Sequence, residues 1–304
     1  MRKPWIVGSL LAGVLLLGAC SDPVSGPQEA PPSPAPPQVS ATTTHQRAPA
    51  SPKAPAVAPR VLYLGDSLAM EAQNVLGEQL RTDLAATYTS APYSGTTLCD
   101  YLEGTGKRSL VPAADKAAAL VRTRHPDYVV LQFWGNAWPY TWCMDGITYD
   151  ASPQRYFARY RADLRRLTGQ IADAGGSRRP KIVWVLQGPD PITPDRVRRV
   201  NEMYERRAAA SHDVVSDAGA AVSPAGARYT WSQDLPCTAY EHRHAGYCTD
   251  PGRDRTALHL GKDYLHFCLA PTTSAPRPCP ARSPGIVRIA RAITRTIAEQ
   301  VRAP

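Results

Sequence analysis

From Arg60 onward the sequence predicts an α/β domain, a parallel sheet with helices on both faces. Short apolar runs at residues 61–64, 128–133 and 181–187 are rich in β-branched and aromatic side chains and too brief for helices. Longer amphipathic stretches of helical period separate them. Strands alternating with helices imply βαβ units and a parallel sheet, with the chemistry at the carboxyl ends of the strands. The chain has 304 residues, 43% of them hydrophobic and 20% charged, which suits one sizeable domain folding around a core.

The elements follow in order. Residues 61–64 read as a buried strand. Residues 68–84 read as a helix with Leu68, Val75, Leu76, Leu80 and Leu84 near one face. A second strand is expected around residues 87–89, and an Ala-rich helix over 113–124. Residues 128–133 are the clearest strand. Ser152-Pro153 starts a helix, because Ser can cap and Pro is tolerated at the first helical position. Phe157, Tyr160, Leu164, Leu167 and Ile171 follow at helical spacing, and Gly175-Gly176 ends the run. Residues 181–187 form another buried strand, 194–210 a basic helix and 214–215 a short strand. Residues 224–262 lack periodicity and read as an irregular insertion. Ser283-Pro284 opens a last helix with Ile286, Ile289, Ile293, Ile297 and Val301 along one side.

The first 59 residues stand apart. Arg2 and Lys3 precede an apolar run over residues 5–17, too short for a membrane span and suited to a signal h-region. The run ends in Leu17-Gly18-Ala19-Cys20, which resembles a bacterial lipobox. The resemblance implies removal of residues 1–19 and diacyl-glyceryl modification of Cys20, two acyl chains being enough for stable anchoring. The plainer alternative is an ordinary signal peptide cut near Ala19. Residues 21–59 hold 11 of the 30 prolines and no Leu, Ile, Phe, Tyr or Trp, so they bury too little apolar surface to fold and read as an extended tether. The expected location is extracytoplasmic, at the membrane through Cys20.

Setting Cys20 aside, six of the 7 cysteines remain: Cys99, Cys143, Cys237, Cys248, Cys268 and Cys279. An even number in an exported chain suggests three disulfides. Six cysteines allow 15 pairings. The preferred one joins Cys237 to Cys248 and Cys268 to Cys279 across short loops and ties Cys99 to Cys143. Cys237, His242, His244 and Cys248 look loosely like a zinc cluster, but their spacing differs from common finger patterns and an oxidising compartment favours the disulfide. No metal or other cofactor is expected. The net charge is +9, and the positive side chains are mostly arginines spread along helices such as 155–166 and 196–207, read as solvated helix faces with a weak bias toward anionic lipid or acidic wall polymer. Nothing resembles a nucleic-acid module, and a monomer is expected.

Gly65-Asp66-Ser67-Leu68 follows the first strand and opens the first helix. A serine there is exposed at the sheet edge, where a helix N-terminus favours developing negative charge. Alone, the tetrapeptide could be a helix cap, since Asp and Ser both cap well. Four further positions give it context: Gly95 in Tyr93-Ser94-Gly95-Thr96, Asn136 just after the third strand, and Asp263 and His266 in Asp263-Tyr264-Leu265-His266 before the last helix. In this arrangement residues 61–303 resemble the GDSL, or SGNH, hydrolase family. The resemblance implies a three-layer α/β/α sandwich close to flavodoxin-like. It matches Ser67 to the nucleophile, Gly95 to the second-block glycine, Asn136 to the third-block asparagine, and Asp263 and His266 to the late Asp-x-x-His. One departure is Trp134-Gly135-Asn136, where the family usually has Gly-x-Asn.

The chemistry requires these residue types. A serine hydroxyl needs a base within hydrogen-bond reach. His266 would take the proton and return it to the leaving alcohol, and Asp263 would fix the imidazole tautomer and stabilise the imidazolium. The Ser67 amide, the Gly95 amide and the Asn136 side chain would bind the oxyanion. His259, with Asp254 nearby in sequence, is the rival base. Asp66 is expected to cap or to bond the loop. Trp134, Trp138, Tyr140 and Trp142 cluster around Asn136; Trp134 is expected in the core, the others as pocket wall or as a surface for an acyl chain or sugar ring. The leading expectation is hydrolysis of small esters, with acetyl groups on an envelope or extracellular polysaccharide foremost. An O-acyltransferase would use the same residues, and a non-catalytic envelope-binding lipoprotein is the third class.

Overall fold

The computed structural model describes residues 58–134, 142–271, 278–280 and 282–303. The expected signal segment, Cys20 and nearly all of the tether lie outside the described residues.

Five strands form one parallel sheet: β1 (Arg60–Gly65), β2 (Thr87–Ser90), β3 (Tyr128–Gln132), β4 (Lys181–Val185) and β5 (Val214–Ser216), in the order β2-β1-β3-β4-β5. This order is that of the flavodoxin-like doubly wound sheet, whose strand order reverses between β1 and β3 while all strands stay parallel. Side-chain alternation along each strand feeds two separate cores. Leu62, Leu64, Val129, Leu131, Ile182 and Trp184 point to one face, under helices α2 (Ala117–Arg124), α3 (Pro153–Gly175) and α4 (Pro194–Ser211). Val61, Tyr63, Val130, Val183 and Val185 point to the other, under α1 (Ser67–Leu84) and a late helix whose Ile286, Ile289, Ile293 and Ile297 stripe is buried. The three-layer α/β/α sandwich expected from the sequence is therefore the observed architecture. Its inner strands β1, β3 and β4 are buried on both faces, which is why they read as continuous apolar runs.

Three local expectations need correction. The Ala-rich helix begins at Ala117, after a separate 3-10 turn at Ala113–Asp115. Lys116 between them is extended because its buried ammonium reaches the Asp100 carbonyl and the Thr105 and Ser109 hydroxyls. The strand read over 181–187 ends at Val185, and Gln187 instead bonds to the Phe133 carbonyl and to Asn201. The insertion at 224–262 is not wholly irregular. It holds an antiparallel pair, β6 (Asp234–Pro236) and β7 (Arg255–Ala257), with a short helix α5 (Ala239–Arg243) between them. Strands of three residues carry too little alternation to be read in advance. Arg288 of the last helix, α6 (Pro284–Arg302), fixes this insert by donating to Glu241 at 2.7 Å and to the Pro236 carbonyl at 2.7 Å.

The basic helices also differ in part. Arg155, Arg161, Arg165 and Arg166 are exposed as expected, but Arg196 is fully buried and paired with Asp190 at 2.9 Å. Asp190 also accepts from the Ile192 and Thr193 amides, so this pair pins the loop that leaves β4. The three disulfides are Cys99–Cys143, Cys237–Cys248 and Cys268–Cys279, the preferred pairing.

Ile293 lies in the middle of the α6 stripe against the sheet. Ile293→Ala should lower unfolding free energy by about 2–5 kcal/mol. The exposed neighbour change Arg295→Ala should stay within about 0.5 kcal/mol. Urea titration with the disulfides intact measures both.

Candidate active site

Strand β1 closes on β3 at Gly65. A Cβ there would lie 2.1 Å from the Gln132 carbonyl oxygen, so the first residue of Gly65-Asp66-Ser67-Leu68 must be glycine for steric reasons. Asp66 then turns the chain into α1. Its Oδ1 accepts from the Leu68 amide at 3.1 Å, and its Oδ2 accepts from the Trp134 amide at 2.8 Å. Capping and loop bonding are the roles expected of it, and here one carboxylate performs both. Ser67 is the first residue of α1, an 18-residue helix. Its hydroxyl stands at the carboxyl end of a central strand and beside helix amides that have no intrahelical partner. That end of a helix favours negative charge.

The loop after β2 is bound to the same corner. Tyr93 donates its amide to the Gly65 carbonyl at 2.9 Å, and the Thr96 hydroxyl donates to it at 3.2 Å. The buried Tyr101 hydroxyl lies 2.8 Å from the carbonyls of both Gly65 and Ala91 and accepts from the Tyr93 amide at 3.1 Å. Gly95 thus sits in a loop held against the residue two before Ser67. Its φ of +76° is one that glycine adopts without strain. Asn136, Trp138 and Tyr140 lie outside the described residues. Trp134 is buried as expected and packs edge-on against Phe267, ring centres 5.5 Å apart. Trp142, next to the Cys99–Cys143 bridge, is 75% exposed.

Asp263 and His266 come to this corner from the segment before α6. His266 Nε2 lies 3.0 Å from Ser67 Oγ, and Nδ1 lies 3.0 Å from Asp263 Oδ2. Asp263 also accepts from the amides of Leu265 and His266 at 3.1 and 3.0 Å. Burial works against charge on Asp263, but the hydrogen bonds from the His266 ring and amide outweigh it and hold the carboxyl well below its ordinary range. Burial likewise opposes charge on His266, yet the bond to Asp263 and the nearby Glu71 carboxyl raise its pKa above the ordinary imidazole value. A hydroxyl, an imidazole and a carboxylate in this row can pass the serine proton to His266 as oxygen attacks an electrophilic carbon.

The structure separates the rival base from the serine network. His259 is buried, its Nδ1 bonded to the His266 carbonyl at 2.8 Å and its ring stacked on Trp231 and tilted against Phe267. Burial pushes its pKa down. Asp254, its sequence neighbour, instead pairs with His242 at 2.8 Å. His259 therefore supports the main chain of the His266 loop. Among the described residues, two groups bring metal-ligand atoms within 4.8 Å of one another: Cys237, His242, Cys248 and Asp254, and Cys99, Asp100 and Cys143. In both, the paired sulfurs are joined in disulfides. His244, the fourth member of the cluster suggested by sequence, stacks on Tyr240 at 3.8 Å.

Two residues at this corner escape sequence reasoning. Tyr101 falls in a segment with no periodicity. Glu71 occupies the buried face of α1, and its Oε1 accepts from the Phe267 amide at 2.9 Å. A charged residue within an apolar helical stripe is the signal that could have revealed Glu71.

No protein-family model matches the chain, and no curated protein matches it. Among solved structures, it resembles a protein from Desulfitobacterium hafniense DCB-2 described as of the G-D-S-L lipolytic family. That match has 12% identity and a TM-score of 0.42 and covers 78% of this chain and 98% of the other. It also resembles phospholipase A1 from Streptomyces albidoflavus NA297, at 12% identity and a TM-score of 0.29, covering 54% of this chain and 81% of that one. At these TM-scores neither likeness decides the chemistry of the site, which rests on the distances around Ser67.

The two histidines should titrate apart. In an NMR titration of histidine ring carbons, His266 should have its midpoint above about 6.5 and His259 below it. Asp263→Asn should lower the His266 midpoint. A His266 midpoint at or below that of His259 would contradict this arrangement.

Proposed function

We propose that this chain is a serine ester hydrolase in which Ser67 is the nucleophile, His266 the general base and then acid, and Asp263 the residue that orients and charges the imidazole. The observation that carries the reading is the pair of 3.0 Å contacts on opposite nitrogens of His266, one to Ser67 Oγ and one to Asp263 Oδ2. Ser67 Oγ attacks the ester carbonyl carbon while its proton passes to Nε2. The C–O bond to the alcohol then breaks, and the alcohol leaves with that proton. Water attacks the acyl-serine through the same imidazole, releasing the acid and restoring Ser67. Asp263 keeps the Nδ1 proton in place, so that Nε2 faces the hydroxyl. The amides of Ser67 and Gly95, with the Asn136 side chain, are the proposed oxyanion donors; losing one typically costs on the order of 10²–10³ in rate.

The proposed substrates are small acyl esters, acetyl first, on an envelope or extracellular polysaccharide. The proposed setting is outside the cytoplasm, with residues 1–19 removed and the domain held to the membrane through lipidated Cys20 and the proline-rich tether. Three disulfides in the domain support an oxidising compartment, and the Leu17-Gly18-Ala19-Cys20 motif supports the anchor.

Ser67→Ala should abolish labelling by a fluorophosphonate and lower hydrolysis of a p-nitrophenyl acetyl ester by on the order of 10⁴-fold or more. Labelling and turnover equal to wild type would remove Ser67 from the reaction. Separately, incorporation of radiolabelled palmitate in cells should disappear in Cys20→Ala; incorporation that persists there would sink the anchor.

A further inference from the structure

Helix α1 carries two side chains that face the His266 segment. Ser67 and Glu71 are four residues apart, so they lie on one face of the helix, one turn from each other. Each makes a cross-bond to that segment. Ser67 Oγ meets His266 Nε2 at 3.0 Å, and Glu71 Oε1 accepts from the amide of the very next residue, Phe267, at 2.9 Å. The Cys268 amide also favours the charged form of the Glu71 carboxyl. The Glu71 main-chain carbonyl accepts from the Cys279 amide at 3.1 Å. Cys268 and Cys279 are joined by a disulfide, so Glu71 grips both ends of the loop that this bridge closes.

A carboxylate is an expensive way to hold a backbone. Glu71 is only 6% exposed, and a buried charge is unfavourable unless it is paired. An uncharged acceptor could take the same amide bonds. What a carboxyl adds, once ionised, is negative charge close to the imidazole, on top of the charge that Asp263 already supplies at Nδ1.

Resting on the reading of Ser67 and His266 given above, we propose that Glu71 is a positioning residue of the active site: it fixes the His266 segment to the helix that bears Ser67, and, when ionised, its carboxylate stabilises the imidazolium formed during ester cleavage. The surroundings of this carboxyl oppose its charge, so the charge is supplied only as the pH nears 8. Burial is the dominant influence and pushes Glu71 up to about 8; Asp263 adds to the rise, whereas the His266 ring and the amides of Phe267 and Cys268 oppose it. The charged or titratable groups acting on His266 are Asp263 on its own segment, Glu71 on α1, and Asp66 at the start of α1. His259, whose ring packs on Phe267, is kept uncharged by burial. Glu71 and His266 therefore titrate as a coupled pair, and ionised Glu71 favours the protonated ring.

The sign follows directly. Catalysis needs neutral His266, so kcat/KM should rise with pH through the raised midpoint of that group. Removing the Glu71 charge removes one of the influences that raise it.

The test uses Glu71→Gln, which keeps the shape and one acceptor, and Glu71→Ala, which removes the grip. Each is assayed for p-nitrophenyl acetate hydrolysis across pH beside wild type and Ser67→Ala, with folding verified by near-ultraviolet circular dichroism. Glu71→Gln should stay folded and move the acid limb of kcat/KM to lower pH. Glu71→Ala should lose on the order of 10²-fold in kcat, the typical effect of misplacing a reacting group by about 1 Å, and Glu71→Gln should recover a large part of that loss. If Glu71→Gln keeps the wild-type pH profile and Glu71→Ala keeps the wild-type kcat while Ser67→Ala is inactive, the role of Glu71 is refuted and the ester-hydrolase reading stands. If Ser67→Ala is as active as wild type, that reading itself falls.

Discussion

Asp66 has two carboxylate oxygens, and each is committed to a different part of the domain. One closes the first turn of α1 through Leu68, and the other holds the chain as it leaves β3 through Trp134. The residue is fully buried between two strands that meet without room for a side chain at Gly65. Much of what surrounds Ser67 depends on this corner. The loop after β2 hangs on the Gly65 carbonyl, the exit of β3 hangs on Asp66, and the helix that starts there presents both Ser67 and Glu71 to the His266 segment. If the carboxylate moved, Ser67, the loop bearing Gly95 and the exit of β3 would lose their common reference point.

The sheet was legible because its inner strands β1, β3 and β4 are buried on both faces and read as unbroken apolar runs between helical periods. The same holds for α1, α3, α4 and α6, whose stripes are long and regular. The positions of Ser67, Asp263 and His266 were legible because the Gly-Asp-Ser-Leu and Asp-x-x-His patterns fall where a parallel sheet puts chemistry, after the first strand and before the last helix. The remainder depends on tertiary contacts that no local window contains. Lys116 breaks a helix because its partner is a carbonyl sixteen residues away. Arg196 reads as one more surface arginine until Asp190 is folded over it. Tyr101 joins two strand ends from a stretch without pattern. Glu71 stands out in sequence only as a charge within an apolar stripe, and its partner is seen only once the Phe267 amide is folded over it. The pairs β6 and β7 are too short for alternation to register at all.

The carboxyl ends of the strands are held in successive layers of restraint. Hydrogen bonds fix the turns nearest Ser67, the Arg196–Asp190 pair fixes the loop after β4, and the Cys99–Cys143 bridge links the loops that follow β2 and β3. The insertion is bound to α6 by Arg288 and Glu241, and α6 in turn packs beside α1. Rigidity is thus concentrated at the edge where reacting atoms need to be held to fractions of an ångström, which is where preorganisation lowers barriers most.

The pairing of the cysteines has a consequence for biogenesis. Within residues 60–304 every bridge joins a cysteine to the next one along the chain: 99 with 143, 237 with 248, 268 with 279. A thiol oxidant that links these six cysteines in chain order would therefore produce this set, with no wrong bond to undo. The serine and the histidine behave in the opposite way, being 199 residues apart. Bridging can proceed stepwise from the amino end, while the Ser67 hydroxyl meets the His266 ring only after the segment before α6 has docked.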